Sequence, residues 1–145
     1  MKTTIGLMAM MLTMSYANAQ KIKESEVPKA VTESFAKNFK DTDVEKWEKE
    51  KDGNYEAEFD FKKVETSATF AANGKLLETE TEIAINTLPK SITEYVSKNY
   101  PDHKIAEAAK IIDDKGKMVY EAEVKKGKEE MDLLFDANGA FIKKD

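Results

Sequence analysis

Residues 27–39 read VPKAVTESFAKNF, and residues 88–100 read LPKSITEYVSKNY. Set against each other at an offset of 61, they are identical at six of thirteen positions, and most of the remaining positions exchange like for like. Unrelated segments share about one position in thirteen at average residue usage. The match continues downstream. Tyr55-Glu56-Ala57-Glu58 recurs as Tyr120-Glu121-Ala122-Glu123, and Ala72-Asn73-Gly74 recurs as Ala137-Asn138-Gly139, both at an offset of 65. One four-residue insertion between Asn99 and Tyr120 reconciles the two offsets. Self-similarity at a fixed period marks a repeat architecture. It divides the chain after residue 19 into two units, 20–83 and 84–145.

Each unit reads as one helix followed by a meander. Val27, Val31, Phe35 and Phe39 recur every fourth residue, as do Leu88, Ile92, Val96 and Tyr100. That spacing lays one apolar stripe along a helix. Pro28 and Pro89 fall where a first-turn proline is tolerated, because that N–H has no helical partner. Pro101 stops the second helix. Alternating segments come next. Tyr55, Ala57, Phe59 and Phe61 interleave with Glu56, Glu58 and Asp60, while Met118, Tyr120, Ala122 and Val124 interleave with Glu121, Glu123 and Lys125. Period-two alternation marks strands with one buried face and one wet face. Asp52-Gly53, Asn73-Gly74, Lys115-Gly116, Lys126-Gly127 and Asn138-Gly139 punctuate the strands as hairpin turns. Lys62-Lys63 is the weakest of the turn signals. The predicted strands span 43–50, 54–62, 64–71, 75–83, 104–112, 117–125, 128–136 and 140–144, with residues 82–87 as the linker.

A single helix covers only one face of a four-stranded sheet. The two sheets are therefore expected to join edge to edge. The result is an α+β fold of two tandem repeats forming one eight-stranded antiparallel sheet, with both helices on the same side. The opposite face is then broad, open and polar, studded with Glu56, Glu58, Asp60, Glu121 and Glu123.

The first 19 residues read as an export signal. Lys2 supplies the positive start, Ile5 to Met14 a short apolar run, and Ala17-Asn18-Ala19 a small-x-small cleavage site. The run is too short to span a bilayer, which takes roughly 20 apolar residues. No cysteine follows it for lipid attachment. Cleavage leaves Gln20 first, with no membrane insertion of the remainder, and places the protein in a periplasm or outside the cell. Without cysteine the chain makes no use of disulfides. The remaining 145 − 19 = 126 residues are long enough for an ordinary core. Removing one Lys and no acid leaves 22 − 28 = −6 charges, and every basic residue is a lysine. An acidic chain without arginine is a poor reader of phosphates and guanine edges, and anionic membranes repel it. Nucleic acid is not an expected partner.

The two Val27-Pro28 and Leu88-Pro89 helix openings, the Tyr-x-Ala-x strands at Tyr55 and Tyr120, and the Asn-Gly turns at Asn73 and Asn138 carry a resemblance. The pattern resembles the tandem PepSY-like domains of secreted bacterial proteins, whose paired form shares its fold with the β-lactamase inhibitory protein. It covers essentially the whole chain after the signal. The resemblance implies a domain that binds other proteins, sometimes peptidases or hydrolases, on its sheet face. The inhibitory protein is stapled by disulfides, which this chain cannot form, and none of its inhibitory contacts maps onto a position here.

Catalytic signals are sparse. There is no cysteine nucleophile, phosphate loop, dinucleotide fingerprint or Gly-x-Ser-x-Gly. His103, the only histidine, reads as a solvated turn residue after Pro101-Asp102. One histidine without cysteine does not make a zinc site. Glu56/Glu58 and Glu121/Glu123 lie two apart on strands, about 7 Å from each other. Such pairs could serve glycoside hydrolysis or hold calcium, but nothing in these segments predicts a cleft or a raised pKa, and the preferred reading is a solvated strand face kept soluble by charge. Trp47 is read first as filling space between helix and sheet, with an exposed binding anchor as the alternative. Its face neighbours Glu45 and Lys49 keep the second reading open, and Val44 has the opposite parity. The sequence therefore points to a monomeric, non-enzymatic binding protein without catalytic residues, metal or cofactor. Its expected partner is a protein or peptide of the cell envelope, met by Trp47, Glu56, Glu58, Asp60, Glu121 and Glu123. The alternative is an envelope sensor or buffer that binds a cation or small ligand on the acidic face.

Overall fold

The computed structural model describes residues 19–144. The predicted export signal lies outside the described residues except for Ala19. Nine strands, all antiparallel to their neighbours, form one sheet in simple sequence order. The strands are β1 (Gln20–Ile22), β2 (Lys46–Lys49), β3 (Tyr55–Phe61), β4 (Val64–Phe70), β5 (Leu76–Glu82), β6 (Lys104–Asp113), β7 (Met118–Lys126), β8 (Glu129–Asp136) and β9 (Phe141–Lys144). Helix α1 (Lys29–Asn38) precedes β2, and α2 (Lys90–Asn99) precedes β6. The chain thus runs twice through one helix and four strands. The ninth strand, β1, was not legible in advance: three residues carry no period, and β1 forms only by pairing Ile22 with Trp47 and Lys21 with Glu48.

The four-residue spacing buries the stripe it predicts. Val31 and Ile92 are fully enclosed, and Phe35 and Val96 nearly so. Pro28 and Pro89 sit one residue ahead of the first helical residue, where their carbonyls start the ladder by accepting from Val31 and Ile92. The two helices also close alike. The Asn38 amide donates to Ser34 O, and the Asn99 amide donates to Tyr95 O. In both helices the side chain of the last helical residue thus folds back onto the carbonyl one turn earlier.

Both helices lie on one face of the sheet, over two neighbouring cores. The first is aromatic: Phe35, Phe39, Trp47, Phe59 and Phe70 pack with Val31 and Ala57. Phe35 meets Phe59 edge-on at 4.9 Å and Trp47 at 5.8 Å. The second is mostly aliphatic, with Leu88, Ile92, Val96, Val124 and Leu133 around Phe135. Each fully buried large side chain contributes about 1.5–3 kcal/mol. Trp47 is only 5 % exposed and belongs to the first core, so the exposed-anchor reading is corrected. Its parity conflict with Val44 dissolves because β2 starts at Lys46; Val44 precedes the strand and packs onto the same core.

The insertion falls in the central β6–β7 hairpin. At ten residues β6 is the longest strand, against four in β2, its counterpart. It pairs with β5 from Glu78↔Asp113 to Glu82↔Ala109 and joins the two halves into one sheet. The Lys62-Lys63 turn is real: both residues take positive φ, 53° and 68°, as the two-residue hairpin turn that matches strand twist requires.

Candidate binding face

The register fixes which side chains share the helix-free face. Lys46 and Glu48 on β2 face Glu58 and Glu56 on β3. Glu56 and Glu58 then face Thr69 and Ser67 on β4, which face Glu78 and Glu80 on β5. Across the junction come Asp113, Ile111 and Ala109 on β6, then Val119, Glu121 and Glu123 on β7, then Leu134 and Asp132 on β8. The first half of this face is acidic. The second half has an apolar floor in which Ala109, Ile111 and Leu134 are buried.

The face is less open than the sequence implies. Glu56 and Glu121, related by the repeat, are only 3 % and 6 % exposed, and Glu80 only 1 %. Both helices pack on the other side, so neighbouring side chains supply this burial. Twisted sheets coil, and here the coiling carries carboxylates from β7 and β8 toward β5. Three strand spacings in a flat sheet span about 14 Å, yet Asp132 on β8 still acts on Glu80. Glu58 and Glu123 are partly buried, and Asp60, near the end of β3, is exposed. The broad, solvated row of acids is thus corrected to a curled face with buried carboxyls at its centre.

Charge on this face is arranged in two tiers. At the flanks, lysines neutralise acids. Lys46 Nζ lies 2.9 Å from Glu58 Oε1 and 3.0 Å from Glu48 Oε1, and Lys125 Nζ lies 2.7 Å from Glu123 Oε1 and 3.3 Å from Glu130 Oε2. At the centre the acids are crowded instead. Burial pushes the Glu56 carboxyl up to about 8, with Glu50 and Glu58 adding repulsion and a Ser67 hydrogen bond opposing it. Burial together with Glu121, Glu56, Glu78 and Asp132 holds Glu80 well above the usual carboxylate range. Glu78 is raised to about 7 by burial and by Asp113, its direct cross-strand partner. Neither Glu80 oxygen, nor Glu56 Oε1, has a hydrogen-bond partner among the described residues.

The remaining sequence candidates fall elsewhere. Trp47 lies on the helix side and shares no surface with the glutamates. Asp60 sits beside the end of α1, in a shallow hollow with Lys37, Lys40 and Lys62. His103 is not a solvated turn residue: its side chain is 11 % exposed, meets Tyr100 edge-on at 5.6 Å, and has Nε2 3.9 Å from Glu129 Oε2. Among the described residues no three acidic or histidine side chains are grouped as a metal ion requires, and no helix is long and apolar enough to cross a membrane. Glu80, the most enclosed of the acids, was missed because both faces of β5 are polar; Thr79 and Thr81 alternate with Glu78 and Glu80, and the pattern has no apolar phase to assign.

Solved structures share this fold. A DUF2874 family protein from Bacteroides uniformis matches at a TM-score of 0.70 with 17 % identity, over 81 % of this chain and 88 % of that one. A protein from Bacteroides eggerthii, provisionally described as periplasmic, matches at 0.71 with 14 % identity, over 82 % and 88 %. A BLIP-like protein from Bacteroides fragilis matches at 0.64 with 24 % identity, over 81 % and 85 %. No curated protein matches. The family model for beta-lactamase-inhibitor-like, PepSY-like proteins matches twice, at residues 13–78 and 53–143, and the chain belongs to that family.

Proposed function

We propose that this is an exported, non-enzymatic binding protein that engages a protein or peptide of the cell envelope on the helix-free face of its sheet. The observation that carries the proposal is the uncovered side of a nine-stranded sheet, acidic in one half and apolar in the other. A face that mixes an apolar floor with buried, crowded carboxyls suits a partner that brings both hydrocarbon and positive charge. Electrostatic complementarity would favour a basic partner, chiefly through faster association. The periplasmic description of a structural relative and the export signal read from the sequence support an envelope address. The net acidity and the absence of arginine argue against nucleic acid.

The test is capture of a partner from envelope extract by the wild-type protein and by charge-reversed variants. Glu58→Lys and Glu123→Lys alter the face at partly buried positions, whereas Glu33→Lys on exposed α1 is the control. One retained protein that is lost with the face variants and kept with the control is the expected result. Retention indifferent to Glu58 and Glu123 would remove the helix-free face from the reading.

A further inference from the structure

We infer that Glu80 is the receptor for a single lysine side chain of a peptide segment, whose ammonium enters the helix-free face between Glu56 and Glu121. The inference rests on the reading of that face as a docking surface and names what the partner must present. Three observations lead to it. Glu80 is 1 % exposed, and neither of its oxygens has a hydrogen-bond partner among the described residues. A buried carboxyl without partners is costly, and native structures retain few. The groups that act on it from the neighbouring strands are all acidic: Glu121, Glu56, Glu78 and Asp132. Lys46 and Lys125 are each already engaged by two acids at the flanks. Lys143, opposite Leu134 on β9, lies on the same face two strands from Glu121, while Glu80 itself is crowded by acids and keeps no hydrogen-bond partner among the described residues.

The shape of the surroundings selects the kind of cation. A bare metal ion needs several oxygens converging on one point, and no such trio exists among the described residues. An ammonium is satisfied by hydrogen bonds to oxygens that surround it more loosely. Directly across from Glu80 on β6 is Ile111, itself 4 % exposed, followed by Val119 on β7. Leu134 on β8 faces Glu121. A lysine can lay its four-carbon stem along such a floor while its ammonium reaches a carboxylate. Among the described residues both helices lie on the far side, Glu80 is neighboured by side chains of the adjoining strands, and side chains can rotate aside.

Proton balance gives the inference a distinctive signature. Without the cation, burial and four acidic neighbours disfavour the Glu80 anion and hold its carboxyl well above the usual range. Entry of the ammonium stabilises the carboxylate, and the proton leaves to solvent. Binding therefore strengthens as pH rises, by up to about tenfold per pH unit while one proton is released.

The test is a nuclear magnetic resonance titration of the protein with a blocked Gly-Lys-Gly peptide, against the same peptide carrying norleucine in place of lysine. The expected result is that the lysine peptide shifts the amide signals of Ser67, Glu80 and Ile111, more tightly at higher pH, and the norleucine peptide does not. Glu80→Gln, a neutral isostere, should keep the native spectrum and lose these shifts. Glu56→Gln is the second variant should the first not fold, and should weaken the peptide about tenfold. Absence of shifts up to about 10 mM peptide, weaker than any affinity of use, would overturn the inference. So would equal shifts from the norleucine peptide, or peptide binding unchanged in either variant. Butylamine binding as tightly as the peptide would assign the site to a free amine and overturn the peptide source. Envelope-partner capture that depends on Glu58 and Glu123 but ignores Glu80→Gln would sink this inference alone and leave the docking face standing.

Discussion

A Cβ placed on Gly74 would lie 2.3 Å from the carbonyl oxygen of Ala30. Gly74 closes the turn between β4 and β5, and Ala30 is in the first turn of α1. The turn thus seats directly against the helix start. The second half repeats the arrangement, since a Cβ on Gly139 would meet Ser91 Oγ at 2.1 Å and the β-carbon of Pro89 at 3.3 Å. Ser91 stands to Ala30 as Gly139 stands to Gly74 under the two repeat offsets.

Gly53 separates conformation from contact. It has φ 88°, close to the 86° of Gly74, but a Cβ there meets nothing. Gly53→Ala should cost about 1 kcal/mol, the strain of a left-handed residue alone. Gly74→Ala carries the same strain and must also push helix from turn, so it should cost several times as much. The measurement is the urea midpoint of both variants with unchanged slope. Equal losses would mean that the turn does not seat on the helix as described.

Stability should fall as the medium becomes alkaline. Below the ordinary glutamate range, near pH 4.5, folded and unfolded chains both hold their protons. Above it the unfolded chain ionises, while the folded chain retains protons on Glu78 to about 7 and on Glu56 to about 8. The folded state is then favoured less with each pH unit until those groups ionise too. Glu80, raised further by burial, Glu121, Glu56, Glu78 and Asp132, acts in the same direction. One unit of difference is about 1.4 kcal/mol, so the rise of Glu56 to about 8 alone is worth several kcal/mol between about pH 5 and pH 8, and Glu80 adds in the same direction. Thermal unfolding across that range should show a falling midpoint. Glu56→Gln and Glu80→Gln should flatten the fall, changing little in acid and stabilising in base. A midpoint that rises with pH would contradict the burial of these carboxyls.

The turn between β3 and β4 can be improved. Lys62 and Lys63 both adopt positive φ and have side chains exposed to solvent, and Phe61↔Val64 closes the hairpin around them. Asn-Gly suits that geometry far better than two lysines. Lys62→Asn with Lys63→Gly should raise stability by about 1 kcal/mol, read as a higher denaturant midpoint. The cation–π approach of Lys62 Nζ to the Phe61 ring, at 5.1 Å, is lost in the exchange. An exposed contact of that kind is worth about 0.5–1 kcal/mol. A net loss of stability would show that it outweighs the turn strain.

Most of the architecture was legible because its signals repeat. The stripe Val27-Val31-Phe35-Phe39, the alternation from Tyr55 to Phe61 and the Asn73-Gly74 turn each recur in the second half. Their coincidence at consistent offsets fixed one helix and four strands per half, and the single sheet followed from the need to cover only one face. What stayed hidden had no local period. Strand β1 exists through its partner rather than through its three residues. The acidic alternation of β3 and β7 gave the correct face for Glu56 and Glu121 but the wrong environment, because curvature of the whole sheet decides their burial. Glu80 had neither signal, lying on a strand that is polar on both sides. His103 was read from its loop, whereas its environment is set by Tyr100 and Glu129.

Trp47 offers the most direct check on the core assignment. It is the only tryptophan, it is 5 % exposed, and it packs between Phe35 and Phe70 beneath α1. Its emission should therefore be blue-shifted in the native protein and move to the red on unfolding, and a small water-soluble quencher should barely reach it. Trp47→Ala should cost about 3–5 kcal/mol, the range for emptying a large aromatic site. Trp47→Phe should cost much less than that. The ring contacts with Phe35 and Phe70 can be kept, and the indole N–H it removes has no hydrogen-bond partner among the described residues. A buried donor without a partner contributes nothing that its loss takes away. Native emission already at the wavelength of free tryptophan would return Trp47 to the surface and reopen it as a binding anchor. A Trp47→Phe loss as large as that of Trp47→Ala would instead mean that the indole N–H has a partner, such as an ordered water, and that the core is held there by polarity as well as by packing.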